Sequence, residues 1–146
     1  WNDTAPTSTV FTVGTASNTG SSDDFVAYLW RGIEGYSRFG KYTGCGNING
    51  VYVHLGFRPK IFVVKRADST GWWGVSDSTR STFNEVANTL AWDGSYTESS
   101  LTSDLKLDFL SNGVKIRDTD GYYNDSGGTY VYMAWAEIPE KYSNAF

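Results

Sequence analysis

Several aromatic residues of this 146-residue chain lie beside Asp or Asn in stretches typical of turns. An exposed ring can stack on the C–H face of a pyranose, while a neighbouring carboxylate or amide binds the sugar hydroxyls. The candidate ligand-binding residues are Trp73, Trp92, Asp93, Tyr122, Tyr123 and Asn124. Packing or subunit contact is the alternative for these rings, and packing is expected for Trp30 and Trp135, which have apolar neighbours. Alternation predicts that Trp72 and Trp73 face opposite sides, with one ring in the core and one near the surface.

Acidic residues cluster between positions 118 and 125. Asp118, Asp120 and Asp125 offer carboxylate oxygens, which calcium prefers as ligands. No bidentate Glu follows at the distance that a helix–loop–helix calcium site requires, and Asx turns account for the same residues. We expect turn chemistry here, with calcium as the weaker alternative, and we predict no cofactor.

Catalytic residues are hard to find in this sequence. His54 is the sole histidine, and no partner for it in a nucleophilic triad can be located. Glycosidases need two carboxylates flanking a cleft, and the four candidates, Glu34, Glu85, Asp108 and Glu137, have no distinguishing context. Cys45 is the lone cysteine and is expected to be a buried or half-buried thiol. We therefore predict a protein that is not an enzyme.

Composition and charge exclude other classes. The net charge of −4 disfavours nucleic acid, whose phosphates bind clustered Lys and Arg. No apolar run approaches the roughly 18 residues of a membrane helix, so no membrane span is expected. The chain opens with Trp1 and has no initiator Met, so upstream sequence is expected.

Period-two alternation of aromatic and β-branched residues predicts an all-β fold. The predicted strands cover residues 8–13, 25–33, 51–57, 60–66, 72–77, 105–110, 114–117 and 130–137. We expect an antiparallel two-sheet sandwich of about eight to ten strands, with at most one short helix, at 81–90, where an extended crossing is the alternative. The clearest hairpin is LKLDFLSNGVKIR, with Asn112-Gly113 predicted as its two-residue turn and Leu105, Leu107, Phe109, Val114 and Ile116 facing the core.

One strand pattern occurs twice. DFVAYLWRGI at 24–33 and TYVYMAWAEI at 129–138 align without gaps, and a Tyr-Ser pair follows each copy. Phe11-Thr12-Val13 and Val114-Lys115-Ile116 precede the two copies in the same way. We predict one domain over 1–146, in which residues 1–41 are the back half of a preceding repeat that completes the sandwich of one whole repeat at 42–146.

The stretches GFRPKIFVVKRADSTGWWGVSDSTR, LDFLSNGVKIR and NDSGGTYVYMAWAEIPEKYSNAF resemble an uncharacterised β module. That module recurs, often in tandem, in tail-fibre and other virion proteins of bacteriophages, many of them marine and cyanobacterial. The resemblance implies a lectin-like, jelly-roll-like sandwich on the surface of a virion, assembled as a homo-oligomer, with a trimer favoured. It brings no catalytic motif and no assigned ligand residues.

The function predicted from these observations is a non-enzymatic tail-fibre or similar appendage module for host attachment, including carbohydrate binding. Its expected partners are a host-surface glycan or receptor and other virion proteins. A purely structural virion protein, decorating a capsid or joining fibre segments, is the alternative. A fragment of a polysaccharide depolymerase is the third.

Overall fold

The computed structural model describes residues 4–15, 19, 24–98 and 106–137. The chain divides into two compact units, residues 1–30 and 31–146. Predictions that fall on Leu105 and Ile138 lie outside the described residues. The single-domain expectation stays a prediction.

The second unit is an antiparallel β-sandwich, which confirms the predicted fold class. One sheet has five strands in the order β1-β8-β3-β4-β5, and the other has three in the order β2-β7-β6. The strands are β1 (Ser37–Thr43), β2 (Tyr52–His54), β3 (Pro59–Arg66), β4 (Gly74–Asp77), β5 (Leu90–Ala91), β6 (Leu107–Leu110), β7 (Gly113–Ile116) and β8 (Thr129–Ala136). The described residues contain no α-helix, and none of them forms a helix long and apolar enough to cross a membrane.

Both sheets contribute to a single core. Strand β8 lies between β1 and β3 and pairs with both over most of its length. Its alternate residues Tyr130, Tyr132 and Ala134 are buried against the apolar face of the three-stranded sheet. Because successive side chains of a strand point to opposite faces, this face of β8 closes the core.

The hairpin of β6 and β7 buries the residues that the sequence predicted, but its turn lies at a different position. Four of its core residues, Leu107, Phe109, Val114 and Ile116, are buried. Leu110 pairs with Gly113, so the two-residue turn is Ser111-Asn112, one position earlier than predicted. Gly113 pairs with His54 of β2, and a Cβ on Gly113 would collide with the carbonyl oxygen of Val53. This glycine is therefore needed for close approach to the neighbouring strand.

Two strands escaped prediction. Strand β1 carries charged residues outward, and Gly40 interrupts its alternation because a Cβ there would meet the ring of Tyr132. Strand β5 has two residues and ends an extended crossing, so the helix considered at 81–90 is absent and the extended alternative holds. Thr89 is buried there, with its hydroxyl 3.2 Å from that of Ser76.

Two predicted strands are wrong. At 8–13, Thr7 closes a turn by donating its N–H to the carbonyl oxygen of Val10 and accepting the N–H of Val10 on its hydroxyl. Residues 24–32 form no strand, and only Ile33 makes an isolated bridge, to Ser37. Strand β1 also crosses the predicted repeat boundary between residues 41 and 42. Alternation alone does not make a strand, because a ladder needs partner backbone on at least one side.

Candidate functional site

An aromatic cluster lies where β4 begins. The Trp72 ring packs 4.6 Å from the ring of Tyr96 and 5.8 Å from that of Tyr122, measured between centroids, the second contact being edge to face. Trp72 lies two residues before β4, Tyr96 follows β5, and Tyr122 lies in the turn before β8. Three separate loops therefore meet in one set of rings, called here the aromatic cluster, and all three rings keep part of their surface in solvent.

Trp92 lies at the surface, in the turn that follows β5. Asp93 Oδ1 accepts the N–H of Trp73 at 3.0 Å, and the N–H of Trp92 donates to the carbonyl oxygen of Trp73 at 3.0 Å. These two bonds fix the turn after β5 against the start of β4. Trp92 is 55% exposed, and Asp93 is exposed next to it. The turn thus exposes an aromatic ring and a carboxylate on consecutive residues.

The expectation that Trp72 or Trp73 lies in the core is wrong, because both are half-buried. Strand β4 begins only at Gly74, so the two tryptophans precede it at the margin of the sheet. The core position beside β4 belongs to Tyr123, since a Cβ on Gly74 would lie 2.7 Å from the Tyr123 ring. Both tryptophans are therefore available to a surface site.

Tyr123 and Asn124 are buried, which removes them from any surface that a glycan can reach. Asn124 Oδ1 accepts the N–H of Cys45 at 2.9 Å, and Asn124 Nδ2 donates to the carbonyl oxygens of Asn47 and Asp118. The Tyr123 carbonyl accepts the hydroxyl of Tyr42 at 2.7 Å. A buried amide with satisfied partners fixes a loop, and here it joins residues 118–125 to residues 45–47.

The three acidic calcium candidates serve as turn and ion-pair residues. Asp118 Oδ1 accepts the N–H of Asp120, and Asp120 Oδ1 accepts the N–H of Tyr122 at 2.7 Å, as Asx turns do. Asp125 Oδ2 lies 3.1 Å from Arg66 Nη1. Within the described ranges, no group of three or more His, Cys, Asp or Glu residues is arranged to hold a metal.

Arg66 anchors the loop that carries Tyr122. Its Nη1 donates to the Gly121 carbonyl at 2.7 Å, its Nε donates to Asp68 Oδ1 at 2.8 Å, and its guanidinium lies 5.9 Å from the centre of the Tyr130 ring. The hydrogen bond from Arg66, followed by that from the N–H of Thr129, lowers the pKa of Asp68. Burial, followed by the charge interaction with Tyr130, raises the pKa of Tyr42 well above its ordinary value, so this hydroxyl stays protonated. The aromatic cluster therefore rests on a closely hydrogen-bonded support.

A second concave feature lies between the turn before β1 and the end of β2. It is an open pocket of about 430 Å³ whose lining includes Glu34, Arg38 and His54. The Tyr52 hydroxyl donates to the Asn112 carbonyl at 3.2 Å and lies 3.3 Å from His54 Nδ1. Because the single hydroxyl proton is used on Asn112, the Tyr52 oxygen can accept an N–H from His54 Nδ1 in this contact.

The carboxylates considered for hydrolysis lie in different places in the fold. Asp108 pairs with Arg117, and Glu137 pairs with Arg58 and accepts the hydroxyl of Ser78. Glu34 supplies the single carboxylate among the lining residues of the open pocket. The sequence did not group Glu34 with His54, because they lie 20 positions apart and only the fold places both in the lining of one pocket. Cys45, expected to be buried or half-buried, is exposed.

Comparison with known proteins identifies a family. Neither the curated proteins nor the solved structures give a match to this chain. A family described as "Domain of unknown function (DUF7483)" matches residues 1–139, which span both compact units. The chain therefore belongs to the DUF7483 family.

Proposed function

We propose that this chain is a non-enzymatic attachment module of a bacteriophage virion appendage, such as a tail fibre, and that it binds host-surface glycans. The resemblance of its sequence to phage virion modules supports the setting. The exposed aromatic surface at the start of β4 supports the binding role. In this proposal the module lies on the outside of the particle and contacts other virion proteins.

One observation carries the glycan proposal: Trp92 is 55% exposed beside the exposed Asp93 carboxylate, in a turn held by two hydrogen bonds to Trp73. A pyranose can place its C–H face on the indole while its hydroxyls donate to the carboxylate. A site that is already ordered loses little side-chain entropy when the ligand binds. The turn after β5 offers both the ring with its carboxylate and an ordered backbone.

The aromatic cluster extends this surface. Tyr96 follows Trp92 and Asp93 by only a few residues, and its ring packs on Trp72. A second sugar ring of a polysaccharide could stack there. Each such contact is weak, so we propose that the module acts in a homo-oligomer, with a trimer favoured, where several sites multiply the avidity.

The test is a glycan array of bacterial surface polysaccharides probed with the wild-type protein and with Trp92→Ala. Loss of the stacking ring should weaken binding by about tenfold, which corresponds to about 1.4 kcal/mol. Phe83→Ala is the matched control, because Phe83 is also a large exposed ring but lies in the crossing before β5. Binding that the Trp92 variant retains in full, or an array without any binding, would contradict the proposal.

Asp93→Asn separates the charge from the turn. The amide oxygen can still accept the N–H of Trp73, so the turn should remain closed while one negative charge disappears. Neutral glycans should bind this variant within about threefold of wild type, and acidic glycans should bind it more tightly, because a like charge is removed. Loss of all binding with an intact fold would show that the carboxylate itself is required.

A purely structural virion protein is the second candidate, and a different observation favours it. Residues 25–30 expose a run of apolar side chains, which is typical of a surface covered by another protein. This role needs no glycan, so a silent array together with an assembly partner for 25–30 would favour it over attachment.

A further inference from the structure

The repeated strand pattern can now be compared with the structure of one of its copies. In the alignment of 24–33 with 129–138, Phe25 matches Tyr130, Ala27 matches Tyr132 and Leu29 matches Ala134. These three residues of β8 form its buried face. The large and small residues exchange places at the second and third positions, which keeps the total volume of the inward face similar.

The outward positions of the two copies also agree. Val26 and Trp30 match Val131 and Trp135, the residues that β8 turns away from the core. Both faces of the 24–33 copy are thus suited to an interior strand of a five-stranded sheet. Such a strand packs one face on the core and pairs along both edges, as β8 does.

The environment of the 24–33 copy does not satisfy this pattern. Residues 24–32 form no strand, and Val26, Tyr28 and Leu29 are 79%, 75% and 73% exposed. In the sandwich of this chain, the position between β1 and β3 is already held by β8, which is paired on both edges. A second strand with the β8 pattern therefore has no equivalent place in the same sandwich.

We infer that residues 24–33 form the β8-type strand of a second sandwich of the same family. The partner is a module whose β1-type and β3-type strands leave the position between them open. Phe25, Ala27 and Leu29 enter its core, and its two strands take up the backbone hydrogen bonds of the segment. In this inference residues 24–33 complete another copy, whereas the expectation from the sequence was that residues 1–41 complete the sandwich at 42–146.

Sequence on either side of the two copies supports this assignment independently. Phe11-Thr12-Val13 precedes the first copy as Val114-Lys115-Ile116 of β7 precedes β8. Tyr36-Ser37 follows the first copy where β1 begins, and Tyr142-Ser143 follows the second. The order of a β7-type, a β8-type and a β1-type segment is thus written twice in the chain, as a head-to-tail array of sandwiches requires.

A tandem protein tests the inference directly. In it, residues 34–128 are placed ahead of residues 24–146, so that 24–33 follows Gly128 in the place of 129–138 and then continues into the native chain. The expected result is two folded sandwiches. Backbone amides of 24–32 should exchange hydrogen at least about 100-fold more slowly in the tandem than in the present chain, because the strand opens only when its sandwich does.

Two variants of the tandem test the facing of the strand. Leu29→Asp places a charge in the new core and should abolish the protection of 24–32, whereas Val26→Asp, at the outward position, should preserve it. The downstream sandwich, which is unchanged, reports on folding in both. Equal effects of the two substitutions would contradict the inference, since they would show that the segment has no inward face.

A third variant of the tandem controls for the case in which the native side chains of 24–33 fit the core of the first sandwich poorly. Ala27→Tyr together with Leu29→Ala gives the segment the inward residues of β8. If this variant folds and the native segment does not, or if neither folds, the segment is not a β8-type strand and the inference is overturned. Protection of 24–32 that already appears in the present chain and rises with its concentration would also overturn it, because the segment would then pair with its own copies.

Discussion

Strand β8 and residues 24–31 carry nearly the same order of aromatic and apolar residues, yet β8 is an interior strand while residues 24–31 form no strand. Seven residues of β8 pair with β1, and a similar number pair with β3. No ladder forms along 24–31 within the described chain. The difference shows that a strand sequence becomes a strand only when partner edges are present, because its propensity depends on packing and pairing.

The ends of the two segments differ as well. The Tyr130 hydroxyl of β8 donates to the Gly121 carbonyl at 2.8 Å and accepts the N–H of Asp125 at 2.9 Å. At its first residue, the N–H of Thr129 donates to Asp68 Oδ2. The matching residues of the other copy are Phe25 and Asp24, and Phe25 has no hydroxyl to make such bonds. Strand β8 is thus tied to residues 121–125 by the Tyr130 hydroxyl, which the other copy does not repeat.

The largest expected contrast comes from a charge at matched positions of the two segments. Ala134→Asp places a carboxylate at a position of β8 that is 0% exposed and should lower the free energy of unfolding by about 3–5 kcal/mol. Leu29→Asp, at the matching position, should change it by less than about 0.5 kcal/mol in this chain, because Leu29 is exposed. Urea unfolding followed by tryptophan fluorescence measures both. Similar losses in the two variants would mean that 24–31 packs as β8 does.

A smaller contrast separates the hydroxyl of β8 from its ring. Tyr130→Phe leaves the ring stacked on Tyr42 but deprives the Asp125 N–H of its acceptor, whereas the Gly121 carbonyl keeps its hydrogen bond from Arg66 Nη1. Leaving this N–H unpaired should cost about 1–3 kcal/mol in unfolding free energy. Phe25→Tyr, the reverse change in the other segment, should be neutral within about 0.5 kcal/mol. A neutral Tyr130→Phe variant would show that the loop at 121–125 is held without this hydroxyl.

The smallest effect concerns pH and the first residue of β8. The hydrogen bonds from Arg66 and from the N–H of Thr129 lower the pKa of Asp68 in the folded protein. Its stabilising contribution is therefore present above the unfolded pKa of about 3.9 and is lost as the pH falls through the lower folded pKa. The difference in melting temperature between wild type and Asp68→Asn should shrink as the pH is lowered below about 4. A difference that stays constant over this range would exclude titration of Asp68 as its cause.

Local pattern was sufficient for part of the fold. The alternation in LDFLSNGVKI predicted the buried faces of β6 and β7, because a half-buried hairpin needs apolar residues on one side only. It misplaced the turn, since Gly113 reads as a turn residue although its role is to admit the Val53 carbonyl. That role depends on a strand about 60 positions away, which local pattern does not reveal.

The sequence predicted that the candidate site contains an exposed aromatic ring beside an acidic residue, but it did not predict correctly every residue that belongs to it. Trp92 and Asp93 are exposed together, as turn residues are expected to be. Asn124 lies in an equally turn-like stretch but is buried, because Cys45, Asn47 and Asp118 surround its amide. Gly44 and Gly50 were the available sequence signal that another segment packs closely here. A Cβ at either position would collide with residues 124–125. Tyr96 was missed because only the fold brings it to Trp72.

The sequence by itself determined the all-β class, the hairpin faces and the duplication of one strand, because these depend on residue order over a few positions. The tertiary structure decided which copy of the duplicated strand is paired, which turn aromatics stay exposed and which asparagine is buried. Strand pairing and burial are properties of residues distant in sequence. An alternating segment can therefore predict a strand, but the strand forms only where neighbouring strands are present to pair with it.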